Sequence, residues 1–83
     1  MREYHPFYSD VAAEFILSPP KRKGRKLLET CNQLAMNPFV ESDYAIKDAD
    51  GRGIEHILID GFLIAYWVDQ AVCKVMIVEV DAV

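Results

Sequence analysis

His56 stands on a predicted strand with Arg52 in the loop just before it, so a histidine base and an arginine anion-binder meet at one end of a sheet. Tyr66, on the following strand, supplies a hydroxyl and completes a candidate catalytic set of Arg52, His56 and Tyr66. The plainer reading is that His56 and Tyr66 are packing residues and that Lys47, Asp48 and Arg52 form a salt-bridged turn. No second base or nucleophile stands close by in the sequence. Positive charge is concentrated in the run Lys21-Arg22-Lys23-Gly24-Arg25-Lys26, which makes Lys21, Arg22, Lys23, Arg25 and Lys26 a candidate anion-binding patch. A solvated basic helix face is the alternative.

Other chemistries find little to stand on. Asp48-Ala49-Asp50-Gly51 resembles the start of a calcium loop, yet the later ligands and the closing glutamate are missing at the required spacing. Cys31 and Cys73 fall in no CxxC or Cys/His pattern and read as reduced thiols. No phosphate-binding glycine loop, Rossmann fingerprint or Ser-His-Asp set can be built. No metal and no cofactor are therefore expected.

The elements that would position these residues follow from periodicity. Ser9 and Asp10 can cap a helix over about residues 9 to 17, with Val11, Ala12, Phe15 and Ile16 apolar at three- and four-residue spacing. Ser18-Pro19-Pro20 turns the chain, and a second helix runs to Met36 on the stripe Leu27, Leu28, Cys31, Leu34 and Ala35, ending at Asn37-Pro38. Gly24 weakens its first turns. Strand pattern then takes over: Tyr44 to Ile46, Ile54 to Ile59, Phe62 to Val68 and Val72 to Val80. Asp60-Gly61 predicts a type I′ hairpin that pairs Ile59 with Phe62, Ile57 with Ile64 and Glu55 with Tyr66 on one face. Leu58 with Leu63, His56 with Ala65, and Ile54 with Trp67 pair on the other. The expected fold class is α+β, an N-terminal helical hairpin packed on a three- to four-stranded antiparallel sheet. The parity of the last strand stays open, because the Asp69-Gln70-Ala71 turn permits more than one register.

Eighty-three residues with a hydrophobic share of 52% suit a single domain, 1-83, with one core. Nine basic against thirteen acidic side chains give a formal charge of -4, which disfavours generic nucleic-acid binding. With no signal-like apolar region at the N-terminus and no apolar run near the ~20 residues a span requires, the chain reads as cytoplasmic and without a membrane partner. Both hairpin faces are largely apolar, where a two-layer protein needs only one. The second face then needs loops, another copy or a different protein to cover it, which marks Leu58, Leu63 and Trp67 as candidate partner-binding residues.

Two helices with a basic, proline-bounded junction, Leu34-Ala35-Met36-Asn37-Pro38 closing the second helix, the hairpin Asp60-Gly61-Phe62-Leu63-Ile64-Ala65-Tyr66-Trp67-Val68-Asp69 and a valine-rich last strand resemble the RelE/ParE toxin superfamily over nearly the whole chain. The resemblance implies the toxin of a type II toxin–antitoxin module of the plasmid-stabilisation kind, held by a cognate antitoxin. It also implies either messenger-RNA cleavage on the ribosome or poisoning of DNA gyrase. The nuclease residues of that family do not carry over. Leu63 stands where an arginine is usual, Glu55 and Ile57 stand where basic residues are expected, and Glu79-Val80-Asp81-Ala82-Val83 offers no basic, aromatic tail. The resulting expectation is a toxin-like protein that acts by protein–protein contact and is not an enzyme. The alternatives are a ribosome-dependent mRNA endoribonuclease rearranged around Arg52, His56 and Tyr66, and a non-toxic homodimer.

Overall fold

The computed structural model describes residues 2–83. Its elements, in chain order, are β1 (His5–Tyr8), α1 (Asp10–Leu17), α2 (Lys21–Met36), β2 (Tyr44–Lys47), β3 (Gly53–Ile59), β4 (Phe62–Asp69) and β5 (Lys74–Ala82). The strands form one sheet in the order β1-β5-β4-β3-β2, antiparallel except for the parallel pair β1 and β5. This corrects the expected fold: the chain enters through a strand rather than a helical hairpin, and the sheet is five-stranded and mixed. β1 left no readable trace because it is four residues long, holds a proline, and turns only alternate side chains toward the interior. The structure tolerates that proline. His5 and Ser9 donate their N–H groups to the carbonyls of Cys73, just ahead of β5, and of Ile77 within it, so the even-numbered nitrogens, Pro6 among them, face the free edge.

Ser9 fixes how the first helix leaves the sheet. Its hydroxyl accepts the Ala12 N–H at 3.1 Å as an N-cap and donates to the Val78 carbonyl at 2.6 Å. Val78 is the unpaired residue of a bulge in β5, since Ala65 faces Glu79 whereas Tyr66 faces Ile77. Across that bulge the inward positions pass from Val75 and Ile77 to Val80. The Asp60-Gly61 turn has positive φ at both residues, 53° and 82°, as a type I′ turn requires, and five of the six predicted pairs, from Glu55–Tyr66 to Ile59–Phe62, are present, while the ladder stops short of the sixth, Ile54 with Trp67. Thr30, buried on α2, donates to the Asp60 carboxylate at 3.0 Å and ties this turn to the helical layer.

The core lies between one sheet face and the two helices. Leu27, Cys31, Leu34 and Ala35 of α2 and Ala12 of α1 pack on Ile57, Phe62, Ile64, Tyr66, Val75 and Ile77. Each large apolar side chain buried here contributes roughly 1.5–3 kcal/mol before ordering costs. Gly24 corrects the reading of it as a weak point. It is buried on the side of α2 that meets α1, and a Cβ built on it would overlap the Ile16 carbonyl oxygen. No helix of the described residues is long and apolar enough to cross a membrane.

Cys31 sits fully buried beside Tyr8. Burial pushes its thiol from 9.0 up to about 11, against a smaller lowering pull from the Tyr8 hydroxyl. Burial, reinforced by Cys31, also raises the Tyr8 phenol. The unfolded chain releases the Cys31 proton near 9.0 and the folded chain near 11, so this stabilising contribution is complete below pH 9 and is lost as pH rises toward 11. A thiol reagent at pH 8 should therefore modify the half-exposed Cys73 in the native protein and reach Cys31 only on unfolding. Two rapid equivalents in the absence of denaturant would contradict that burial.

Candidate functional site

Among the described residues no second layer covers the sheet face that points away from the helices. Register places Tyr44, His56, Leu58, Leu63, Ala65, Trp67 and Met76 on it. Leu58 is 56% exposed and Tyr44 45% exposed, values expected of a face left open rather than of a core. Ile54 and Ala65 are nevertheless buried. The Arg52 guanidinium rests on the Trp67 ring, 4.0 Å from its centroid, with one terminal nitrogen 4.0 Å from the Asp48 carboxylate. The His56 imidazole stacks on the Tyr44 ring at 4.6 Å and an interplanar angle of 10°. Its Nδ1 lies 3.0 Å from the Ile54 carbonyl, which can only accept, so Nδ1 carries a hydrogen and the neutral ring keeps its lone pair on Nε2.

Charge is unevenly spread over this face. Glu79 and Asp81 pair with Ala65 and Leu63 at the end away from Arg52. Asp43 closes the same end, its carboxylate accepting the Leu58 N–H at 2.7 Å. Arg52 and Lys74 lie at the other end, Lys74 over the Phe7 ring at 4.4 Å. The whole is an apolar and aromatic field with an acidic margin on one side, a form suited to a protein partner and unsuited to a phosphate backbone.

Tyr66 is elsewhere. Paired with Glu55 and Ile77, it points into the helical side and is 1% exposed, so the structure brings Arg52 and His56 to one face and sends Tyr66 to the opposite one. Its hydroxyl is buried with no hydrogen-bond partner, and burial followed by the Glu55 charge raises its pKa. Tyr66 and Glu55 line a cleft of about 330 Å³ at the end of β3 and β4, together with Phe39, Arg52, Trp67 and Val68. A wider cleft of about 750 Å³ opens between β1 and the end of α2, and Phe39, edge-on to Tyr4 at 5.6 Å, lines both.

Part of the basic run is diverted from the surface, and four of its cations, at i, i+1, i+4 and i+5, share one exposed helix face. Gly24 faces α1, and the Lys23 ammonium folds over the Phe15 ring at 4.1 Å, while Lys21, Arg22, Arg25 and Lys26 are exposed along the first turns of α2. Those turns lack any side-chain cap and already present the positive end of the helix dipole. Among the described residues no three His, Cys, Asp or Glu side chains gather as a metal site would require.

No family model and no curated protein matches the sequence. Among solved structures, a chain of the toxin–antitoxin complex RelBE2 from Mycobacterium tuberculosis is similar at a TM-score of 0.75, over 99% of this chain and 100% of that one, with 17% sequence identity. The fold is RelE-like. In this RelE-like frame Leu58, Leu63 and Trp67 share the open face, as their hairpin register requires. Sequence reasoning missed the Tyr44–His56 stack and the Ser42–Glu55 hydrogen bond of 2.9 Å. Both depend on β2 pairing with β3, whose turn at Asp48 to Gly53 carried the only available signal for that register.

Proposed function

We propose that this chain is the toxin-like component of a toxin–antitoxin module and works through protein contact, with the open face around Leu58, Leu63 and Trp67 as the docking surface for its antitoxin. The observation that carries this reading is a large apolar and aromatic sheet face left without a layer, in a fold shared with a chain of a toxin–antitoxin complex. Contact is favoured over RNA cleavage by three placements. Tyr66 lies on the wrong face to act with His56, Arg52 is engaged by Trp67 and Asp48, and the acidic margin of Glu79, Asp81 and Asp43 repels phosphate.

Induction of the chain in a host cell, alone and with the product of its neighbouring reading frame, tests the proposal. The expected result is growth arrest that the neighbour relieves and that survives the double substitution Arg52→Ala, His56→Ala. Arrest abolished by that pair, with cut messages on translating ribosomes, would instead establish a ribosome-dependent endoribonuclease. A well-expressed chain that arrests nothing and elutes as a dimer would be a non-toxic homodimeric domain.

A further inference from the structure

We propose that the cleft beside β3 and β4 is a receptor for one alkyl-borne cation, an ammonium or guanidinium head, with the Glu55 carboxylate as its counter-charge and the Tyr66 hydroxyl as a second acceptor. Three observations converge on it. Glu55 is half-buried and takes a hydrogen bond from the Ser42 hydroxyl at 2.9 Å, yet among the described residues no Lys, Arg or His lies within 4.0 Å of it. Tyr66 lines the same cleft and its hydroxyl is buried and unpartnered, an arrangement that phenylalanine would replace without loss of packing. The only cation in the lining, Arg52, is held by the Trp67 ring and Asp48 rather than by Glu55.

What is missing is a group with several N–H donors and a positive charge. An ammonium or guanidinium donates to the carboxylate and to the phenol oxygen together, while its alkyl stem lies against Phe39 and Val68. An anion would meet the charge of Glu55, and a neutral amide would leave that charge uncompensated. The cleft volume of about 330 Å³ falls at the lower end of ligand sites and suits one side-chain-sized group. Such a cation comes either as a free small molecule or as a lysine or arginine of a partner protein. The site adjoins the open face, sharing Arg52 and Trp67 with it, but does not depend on the toxin-like reading.

The test uses the full chain, isotope-labelled, with the indole N–H of its only tryptophan, Trp67, as reporter. The probes are N-acetyl-arginine amide and N-acetyl-lysine amide, with N-acetyl-citrulline amide as the uncharged control. Saturable shifts are expected for at least one cation, with citrulline about ten-fold weaker or more. Glu55→Gln should cost about ten-fold or more in affinity, whereas Arg52→Ala should leave binding intact or strengthen it by removing a rival charge. Tyr66→Phe should weaken binding while leaving Tm unchanged or higher. A glycine-flanked arginine pentapeptide that binds tighter than the amide points to a partner protein as the source, and equal affinity points to a free cation. The proposal is overturned if citrulline binds equally, if neither cation shifts the folded protein saturably, if Arg52→Ala removes binding, or if Tyr66→Phe lowers Tm with binding unchanged.

Discussion

Gly24→Ala lowers the stability of this chain by about 2 kcal/mol or more, although alanine favours a helix over glycine by roughly 1 kcal/mol. The added methyl group meets the Ile16 carbonyl oxygen, a backbone atom that cannot rotate away as the end of a side chain would. Relief requires α1 to move off α2, which loosens Ala12 and Phe15 from the core they help to cover. In a domain of this size 1 kcal/mol corresponds to about 4–8 °C in Tm, so a fall of about 10 °C is expected in a thermal scan followed by Trp67 fluorescence. Unchanged or raised Tm would mean that the two helices are free to separate, and that the close approach at Gly24 stabilises nothing.

Leu58→Asp should leave the fold almost untouched and abolish docking. Leu58 is 56% exposed and belongs to no buried cluster, and substitutions at such surface sites usually change stability by less than about 0.5 kcal/mol. On a covered apolar field the same change buries an unpaired carboxylate, next to the acids already present at Asp43 and Asp81. Central interface residues lose 2 kcal/mol or more on truncation, so affinity for the neighbour's product should fall about 30-fold or beyond, read by titration calorimetry on the purified pair. Leu63→Asp, one strand over, should behave alike. Full affinity in both variants would move the docking surface to the helical layer and remove the main support for the open face.

Parts of this architecture were legible because a local rule decided them. The spacing of Ala12, Phe15 and Ile16 and the stripe of Leu27, Cys31 and Leu34 place the helices within a residue or so. Asp60-Gly61 sets the hairpin register through the sign of φ alone. What stayed hidden depended on distant partners. β1 exists because β5 offers it carbonyls almost seventy residues away, and β5 itself alternates only up to Val78, where the bulge shifts the inward set. Gly24 looked like a weak helix residue because its reason, the Ile16 carbonyl, belongs to another helix. For the candidate site, the grouping of Leu58, Leu63 and Trp67 was readable from two-residue parity. The cleft was not, since it assembles Phe39 from a loop with Glu55 and Tyr66 from two strands.

The parallel pairing of β1 with β5 bears on when the protein can acquire its shape during synthesis. β5 lies between β1 and β4, so an interior strand of the sheet is translated after every other described element. Until residues 74–82 have cleared the ribosomal tunnel, β1 has no carbonyls to bind, Ser9 has no anchor at Val78, and one side of the core is open. A nascent chain can hold the β3–β4 hairpin and fluctuating helices, but not the finished domain. Whatever surface the finished sheet presents, it presents only once β5 has taken its place between β1 and β4.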